Sequence, residues 1–290
     1  MELQQLRYVL AVAEERSFTR AAERCFVVQS ALSHQIKALE TELGVRLFAR
    51  TSRQVQLTAA GEAFLPAARE ALSATDRAAA EAAAAEGEIR GALRIGVIPT
   101  VTAIDIPAAI GAFHRAHPAV RVGLRGGASD EFIAAIAAGR LDVAVLGLAD
   151  SAPPTGARTR VLARERLVAV VSAAHPLAGR RRVRLTELAE ETFADFPAGS
   201  PGRTQSELAF TAAGITRQVA FEVSGTELML ELVRQRLGVA MLPPAVVPAD
   251  PALRTLPVTG APTRIEYLAW SDFNPSPAAA AFVELALRRS

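Results

Sequence analysis

The sequence predicts an N-terminal winged helix-turn-helix (all α with a small hairpin), then a long linker helix, then an α/β domain. Three observations predict it. Near the N-terminus, two apolar repeats at helical spacing are separated by a three-residue break. An alanine-rich stretch almost without β-branched residues follows, and from about residue 91 strand-like and helix-like segments alternate. The 290 residues are enough for two or three domains, each with its own core.

Leu3, Leu6, Leu10 and Ala13 recur on one face of a first helix running to about Glu15. Ser17 suits an N-cap, and Thr19 to Cys25 form a short second helix. Ala21 and Ala22 on that helix let a neighbouring helix approach closely. The run FVV at 26–28 reads as a tight, half-buried connection. In the next segment, SALSHQIKALETEL at 30–43, Leu32, Ile36, Leu39 and Leu43 share one face, and Gly44 ends the helix as a C-cap glycine.

The opposite face of that helix carries Ser30, Ser33, His34, Lys37 and Thr41, and Lys37 is the only lysine of the chain. Beyond Gly44, residues Arg53 to Leu57 alternate polar and apolar, as one strand of a hairpin does. In a winged helix-turn-helix the second helix of the motif enters the major groove of double-stranded DNA, N-terminal residues foremost. Gln29 can bond adenine twice, Ser33 several bases, and His34 or Lys37 a guanine edge or a phosphate. Arg50 and Arg53 on the wing suit phosphate or an adjacent minor groove. Net charge is only +2, but no acidic residue lies between Glu42 and Glu62, whereas Arg46, Arg50 and Arg53 do. On the pattern alone, a solvated face beside ordinary surface arginines stays open.

The stretch from Thr58, TAAGEAFLPAAREALSATDRAAAEAAAAEGE, predicts a long helix ended by Gly87 and Gly91. Phe64, Ala68, Leu72, Thr75, Ala79 and Ala82 form one thin seam, which calls for a partner helix and hence self-association. A flexible spacer is the alternative, although it has no need of Phe64 and Leu72. Then ALRIGVI, VRVGLRG and LDVAVLGL alternate as strands with the helices IPAAIGAFHRAH and EFIAAIAAGR, implying a parallel sheet covered on both faces. LVAVVSAAHPLA opens a second lobe, TELMLELVRQ and LGVAMLP supply a later helix and strand, and SPAAAAFVELALRRS closes the chain as a helix. In IPTVT at 98–102, the Thr100 and Thr102 hydroxyls with free backbone N–H groups offer a carboxylate or phosphate site, and Ser129 holds the equivalent place after the second strand. Plain N-capping is the alternative for each hydroxyl.

Catalysis, metals and cofactors find no support. His114 and His117 are three apart, but no suitable third ligand lies near them in sequence. No nucleophile, base and orienting acid emerge as a set, and RIGVIPT lacks a dinucleotide-binding glycine pattern. No apolar run is long enough to span a membrane, and the N-terminus is laid out unlike a signal peptide. Cys25 is the only cysteine, which fits a reducing cytoplasm.

The segment LRYVLAVAEERSFTRAAERCFVVQSALSHQIKALETELGVRLFART at 6–51, with QLTAAGEAFLPAAR after it, HPLA at 175–178 and LGVAMLP at 237–243, resembles the LysR-type transcriptional regulators. The resemblance covers essentially the whole chain. It implies a DNA-binding domain at 1–58, a linker and dimerisation helix at 59–90, and an effector-binding domain at 91–290. That last domain would resemble the periplasmic binding proteins, with lobe I at about 92–161 and 268–290 and lobe II at about 162–267. The resemblance places Thr100, Val101, Thr102, Ser129, Ser200, Pro201 and Thr226 at an interlobe effector cleft, where helix N-termini modestly favour an anionic small molecule. It also implies a dimer or tetramer, and it admits RNA polymerase as a partner. Two positions depart from the family pattern: Ser30 stands where proline is common, and His34 where arginine is common. A neutral imidazole cannot grip guanine with two parallel bonds, so an operator cannot be carried over from relatives. A regulator that works without ligand, its cleft vestigial, is one alternative, and a solute-binding protein is the more distant one.

Overall fold

Helix α1 (Leu3–Glu15) ends at Arg16, whose φ of 50° is left-handed, and α2 (Phe18–Arg24) starts at Ser17, whose hydroxyl accepts the Arg20 N–H. Helix α3 (Gln29–Leu43) is closed by Gly44 at φ 69°. These helices come from a computed structural model that describes residues 1–50, 55–272 and 274–289, apart from the Arg50 side chain. Leu32, Ile36 and Leu39 of α3 are fully buried against Val9, Val12, Phe18 and Ala21. Leu43, expected on that same face, is exposed, because the helix outruns the core it packs on. The connection at 26–28 also differs from expectation. Only Val27 packs against the core, while Phe26 and Val28 face solvent.

The wing is an antiparallel pair, β1 (Phe48–Arg50) and β2 (Val55–Leu57), with Phe48 opposite Leu57. Glu40 of α3 ties it down by accepting the N–H groups of Leu47 at 2.7 Å and Phe48 at 3.1 Å. Thr58 then caps α4 (Ala59–Ala85) by accepting the Gly61 N–H, and its hydroxyl donates to the Arg46 carbonyl at 2.6 Å. A Cβ on Gly61 would lie 2.1 Å from the Leu47 carbonyl oxygen, so only glycine lets α4 pass this close to the wing. Along the expected seam, Phe64 packs instead on the helix-turn-helix core beside Leu65. Ala68 is buried, Leu72 and Thr75 are half-buried, and Ala79 and Ala82 are exposed. The part of the seam left open therefore starts at Leu72.

The chain divides into two compact units, Met1–Glu88 with Ala138–Arg140, and Ile89–Ala137 with Leu141–Ser290. The second unit opens with β3 (Gly91–Val97), α5 (Ile106–Ala116), β4 (Val120–Gly126), α6 (Ser129–Ala137) and β5 (Val143–Ala149). Strand β6 (Arg158–Arg166) leads out into β7 (Val168–Ser172), β8 (Val183–Arg184), α7 (Leu185–Ala189), β9 (Thr192–Asp195), α8 (Pro201–Ala212), β10 (Gln218–Glu222), α9 (Thr226–Arg234), β11 (Ala240–Leu242) and β12 (Leu253–Thr259). The chain returns through β13 (Thr263–Trp270) to α10 (Pro277–Leu287).

The first lobe's sheet has the order β4-β3-β5-β13-β6. Its β3, β4 and β5 are parallel, as expected for those three strands, and β13, antiparallel to both β5 and β6, makes the sheet as a whole mixed. The physical cause is the connectivity: β6 carries the chain out of this lobe and β13 brings it back beside β6. Both strands lie whole in this sheet, which the chain leaves at Leu167 and rejoins after 260–262, whereas the resemblance implies lobe bounds near 161 and 267. Phe113 and Phe282 meet edge-on in the core between β3, α5 and α10. The second lobe has a sheet of order β11-β7-β12-β8, and the parallel pair β9 and β10 adjoins its β11 edge through a bridge between Phe193 and Val239. Arg217 lies in this lobe's interior over the edge-on pair of Phe193 and Phe210 rings and donates to Asp195 at 2.6 Å. Burial pushes the Asp195 carboxyl up and the Arg217 guanidinium down, and their mutual attraction opposes both shifts.

Candidate functional sites

The first candidate site is the outer face of α3. Gln29, Ser30, His34 and Lys37 are exposed and Ser33 is half-buried; Ser30, His34 and Lys37 lie on the side away from Leu32, Ile36 and Leu39, with Gln29 at the helix's N-terminal end and Ser33 between the two sides. The buried side fixes the helix, so the polar side is presented rigidly, within one stretch of two to three turns. Thr41 on the same side turns its hydroxyl back onto the Lys37 carbonyl at 2.8 Å. Arg46 is exposed on the approach to the wing. Arg50 closes β1, its backbone opposite Val55, while its side chain and the whole of Arg53 lie outside the described residues. An amide, hydroxyls, an imidazole and an ammonium on one rigid face are the groups that read base edges in a major groove.

The second candidate is a cleft of about 480 Å³ between the two lobes of the second unit, within the range of about 300–1,000 Å³ usual for small-molecule sites. Thr100, Ser129, Ser200 and Pro201 line it as expected from the sequence. Its walls are largely apolar, from Ile98, Ala128, Phe196 and Pro197, with Ser224 and Glu131 at the lining as well. Among its lining residues there is no Lys, Arg or His. Val101, Thr102 and Thr226 are not among them, although the sequence grouped them with this cleft. Val101 packs into the first lobe's core, and Thr226 begins α9.

Thr102 shows why only the first half of IPTVT, up to Thr100, opens to the cleft. Glu266 of β13, wholly buried, accepts the N–H groups of Thr102 and Ala103 at 3.1–3.2 Å and the Thr102 hydroxyl at 3.1 Å. The chain supplies its own carboxylate where a ligand carboxylate was expected. Helix α5 itself begins later, with the Asp105 carboxylate accepting the Ala108 N–H. Beside Glu266, Arg264 is 1% exposed and bonds Glu165, Glu266, the Thr100 carbonyl at 2.9 Å and the Thr100 hydroxyl at 3.0 Å. This network brings together β6, β13 and the loop after β3 just below the cleft.

The cleft floor is Gly147 of β5. Its N–H donates to the Ser129 hydroxyl at 3.0 Å, which donates back to the Gly147 carbonyl at 3.2 Å. That carbonyl also accepts from Gln205 of α8 at 2.7 Å, a bond that reaches across from the second lobe. A Cβ at Gly147 would stand 2.7 Å from the Arg264 guanidinium. Gln205, Gly147, Arg264 and Glu266 escaped the sequence reading. The signal that could have found the last two is a pair of charges inside the otherwise largely apolar run TRIEYLAW.

Among the described residues, the remaining titratable groups add no third site. His114 is exposed, and the His117 ring stacks against Phe113 at 5.0 Å. Among the described residues no cluster of three His, Cys, Asp or Glu could hold a metal, and no helix is long and apolar enough to cross a membrane. Burial pushes the Cys25 thiol up, away from the reactive thiolate.

Comparison with known proteins bears on both sites. Residues 3–62 match the family described as bacterial regulatory helix-turn-helix protein, lysR family, and residues 86–290 match the LysR substrate binding domain. The chain is 39% identical over 246 residues to the uncharacterized HTH-type transcriptional regulator YnfL of Escherichia coli K12, covering 84% of this chain and 82% of that one. A full-length OxyR from Pseudomonas aeruginosa, solved as a variant with one cysteine replaced by aspartate, superposes with a TM-score of 0.75 at 27% identity, over 99% of this chain and 93% of that one. Full-length CbnR in complex with its target DNA gives 0.67 at 28% identity over the whole of both chains.

Proposed function

The chain belongs to the LysR family of bacterial transcriptional regulators, and from that premise we propose a division of labour between its two candidate sites. It is a DNA-binding regulator with an effector-binding domain. In our reading Gln29, Ser33 and His34 meet base edges, while Ser30, Lys37, Arg50 and Arg53 hold phosphates or an adjacent groove. Residues 1–58 form the DNA-binding domain, 59–90 the linker and 91–290 the effector domain. Two copies associate along α4, through the part of its seam that starts at Leu72.

The observation that carries this proposal is the outer face of α3, whose polar side chains point away from the core that the same helix completes. The effector we infer is a small molecule with an apolar body and one or two hydrogen-bonding groups, fitted to the Phe196 and Ile98 walls and the Thr100 and Ser200 hydroxyls. An anionic group would draw only on the helix starts at Ser129 and Ser200, because the lining carries no cationic side chain. The OxyR structure is named for a substituted cysteine, whereas this chain has Cys25 alone, in its DNA-binding unit. We therefore propose that the signal enters by occupancy of the cleft and not by a disulfide within one chain. The same reading assigns no catalytic activity and a cytoplasmic home.

Footprinting of genomic fragments selected at moderate salt tests it. A protected site with dyad symmetry is expected, and a small molecule that raises the melting temperature should alter the protected pattern. Ala128→Phe, which fills the cleft, should retain the protected site and lose the response. If no duplex is protected in preference to bulk DNA, the proposal fails.

A further inference from the structure

The turn between α2 and α3 is built against local preference at two positions. The Phe26 N–H donates to the Glu23 carbonyl at 3.1 Å and the Val27 N–H to the Ala22 carbonyl at 3.0 Å, the paired bonds that close a helix with a left-handed residue. That residue is Phe26, at φ 55°, where glycine or asparagine sits with far less strain. Its ring is 95% exposed. Two residues on, Val28 is the N-cap of α3, makes no side-chain capping bond, and is 69% exposed. Valine is among the poorest N-caps, since it has no oxygen to accept an orphan N–H. Val27 between them packs inward, which accounts for its apolar character. Nothing within the fold accounts for the other two.

Val28 adjoins Gln29, the first residue of α3, and Phe26 precedes it in the same turn, so the two exposed side chains form an apolar edge at the N-terminal end of that helix. In the major groove the one apolar group that marks a base is the C5-methyl of thymine. We propose that Val28 and Phe26 are specificity-determining residues, which contact thymine methyl groups at the margin of the operator half-site read by α3. The inference rests on the DNA-binding function of that helix and extends it from polar to apolar readout. It also explains why the turn keeps residues that weaken its own stability: the same atoms stabilise the complex.

Replacing thymines by deoxyuridine one at a time in a selected operator removes single methyl groups and nothing else. For the wild-type protein, affinity should fall roughly fourfold at each contacted position, the equivalent of about one buried methyl. Val28→Ser should bind the thymine operator more weakly, ignore deoxyuridine at one of those positions, and keep the preferences set by Gln29 and Ser33. Its thermal stability should stay level or rise, which separates a binding loss from a folding loss. Phe26→Asn should behave in the same way at a second position. Wild-type binding that is specific yet indifferent to every deoxyuridine overturns this inference alone. Reduced transcription by Val28→Ser at unchanged operator affinity also overturns it and assigns the edge to a protein partner. If the wild-type protein selects no operator, the DNA-binding proposal falls with it.

Discussion

The face of α3 and the interlobe cleft solve opposite problems. On α3 the working side chains are neighbours in sequence, from Gln29 to Lys37, and all but the half-buried Ser33 are exposed. In the cleft the polar groups come from five separate segments, at 98–100, 126–131, 147, 196–205 and 224, and several are already bonded to one another. A helix displays whatever its outer face carries, so one side chain can change without consequence for the fold. A cleft floor such as Gly147 is held by its neighbours, so function and folding there are the same bonds. The contrast teaches where each site can tolerate variation: freely on the reading helix, sparingly beneath the cleft.

Four substitutions would break or sharpen that contrast. The largest effect is expected from Glu266→Ala. It strips the Thr102 and Ala103 N–H groups of their acceptor and leaves Arg264 with one carboxylate fewer, and removing one partner of a buried pair costs about 3–5 kcal/mol. Urea denaturation should show a loss of that size. A loss below about 1 kcal/mol would mean that the network is not structural. Next comes Leu72→Asp in α4, which sets a charge on the half-buried start of the open seam at a cost of roughly several kcal/mol if it is covered in a dimer. Sedimentation should then report the monomer mass at micromolar concentration. An unchanged mass would move the dimer contact elsewhere. The smallest change in stability belongs to His34→Ala, within about 0.5 kcal/mol as for other surface positions, with the half-buried Ser33→Ala costing somewhat more. Each should nevertheless relax operator preference at one base pair by about 1–3 kcal/mol in competition binding. If either variant weakened all sequences equally, the residue would be a phosphate contact.

The sequence alone determined the parts whose contacts are local. The periodicity of Leu32, Ile36 and Leu39, the Ser17 cap and the Gly44 stop are written in adjacent residues, because a helix brings positions three and four apart together and nothing else is required. The outer face of α3 followed directly, as did most of the alternating strands and helices of the second unit. Where local logic was pushed too far it misled. An apolar triplet at 26–28 suggests burial, yet two of its members point outward, and Phe64 looks like a dimer residue until the helix-turn-helix core takes it.

Only the tertiary structure decided which polar groups remain for a ligand. Thr102 looks free in sequence and is taken by Glu266, 164 residues away, and Ser129 is spent on Gly147. It also decided that the sheet is mixed, since the direction of β13 depends on where the second lobe returns the chain. A buried donor must find an acceptor, but the sequence does not say which one, and through-space neighbours across two lobes have no fixed spacing along the chain.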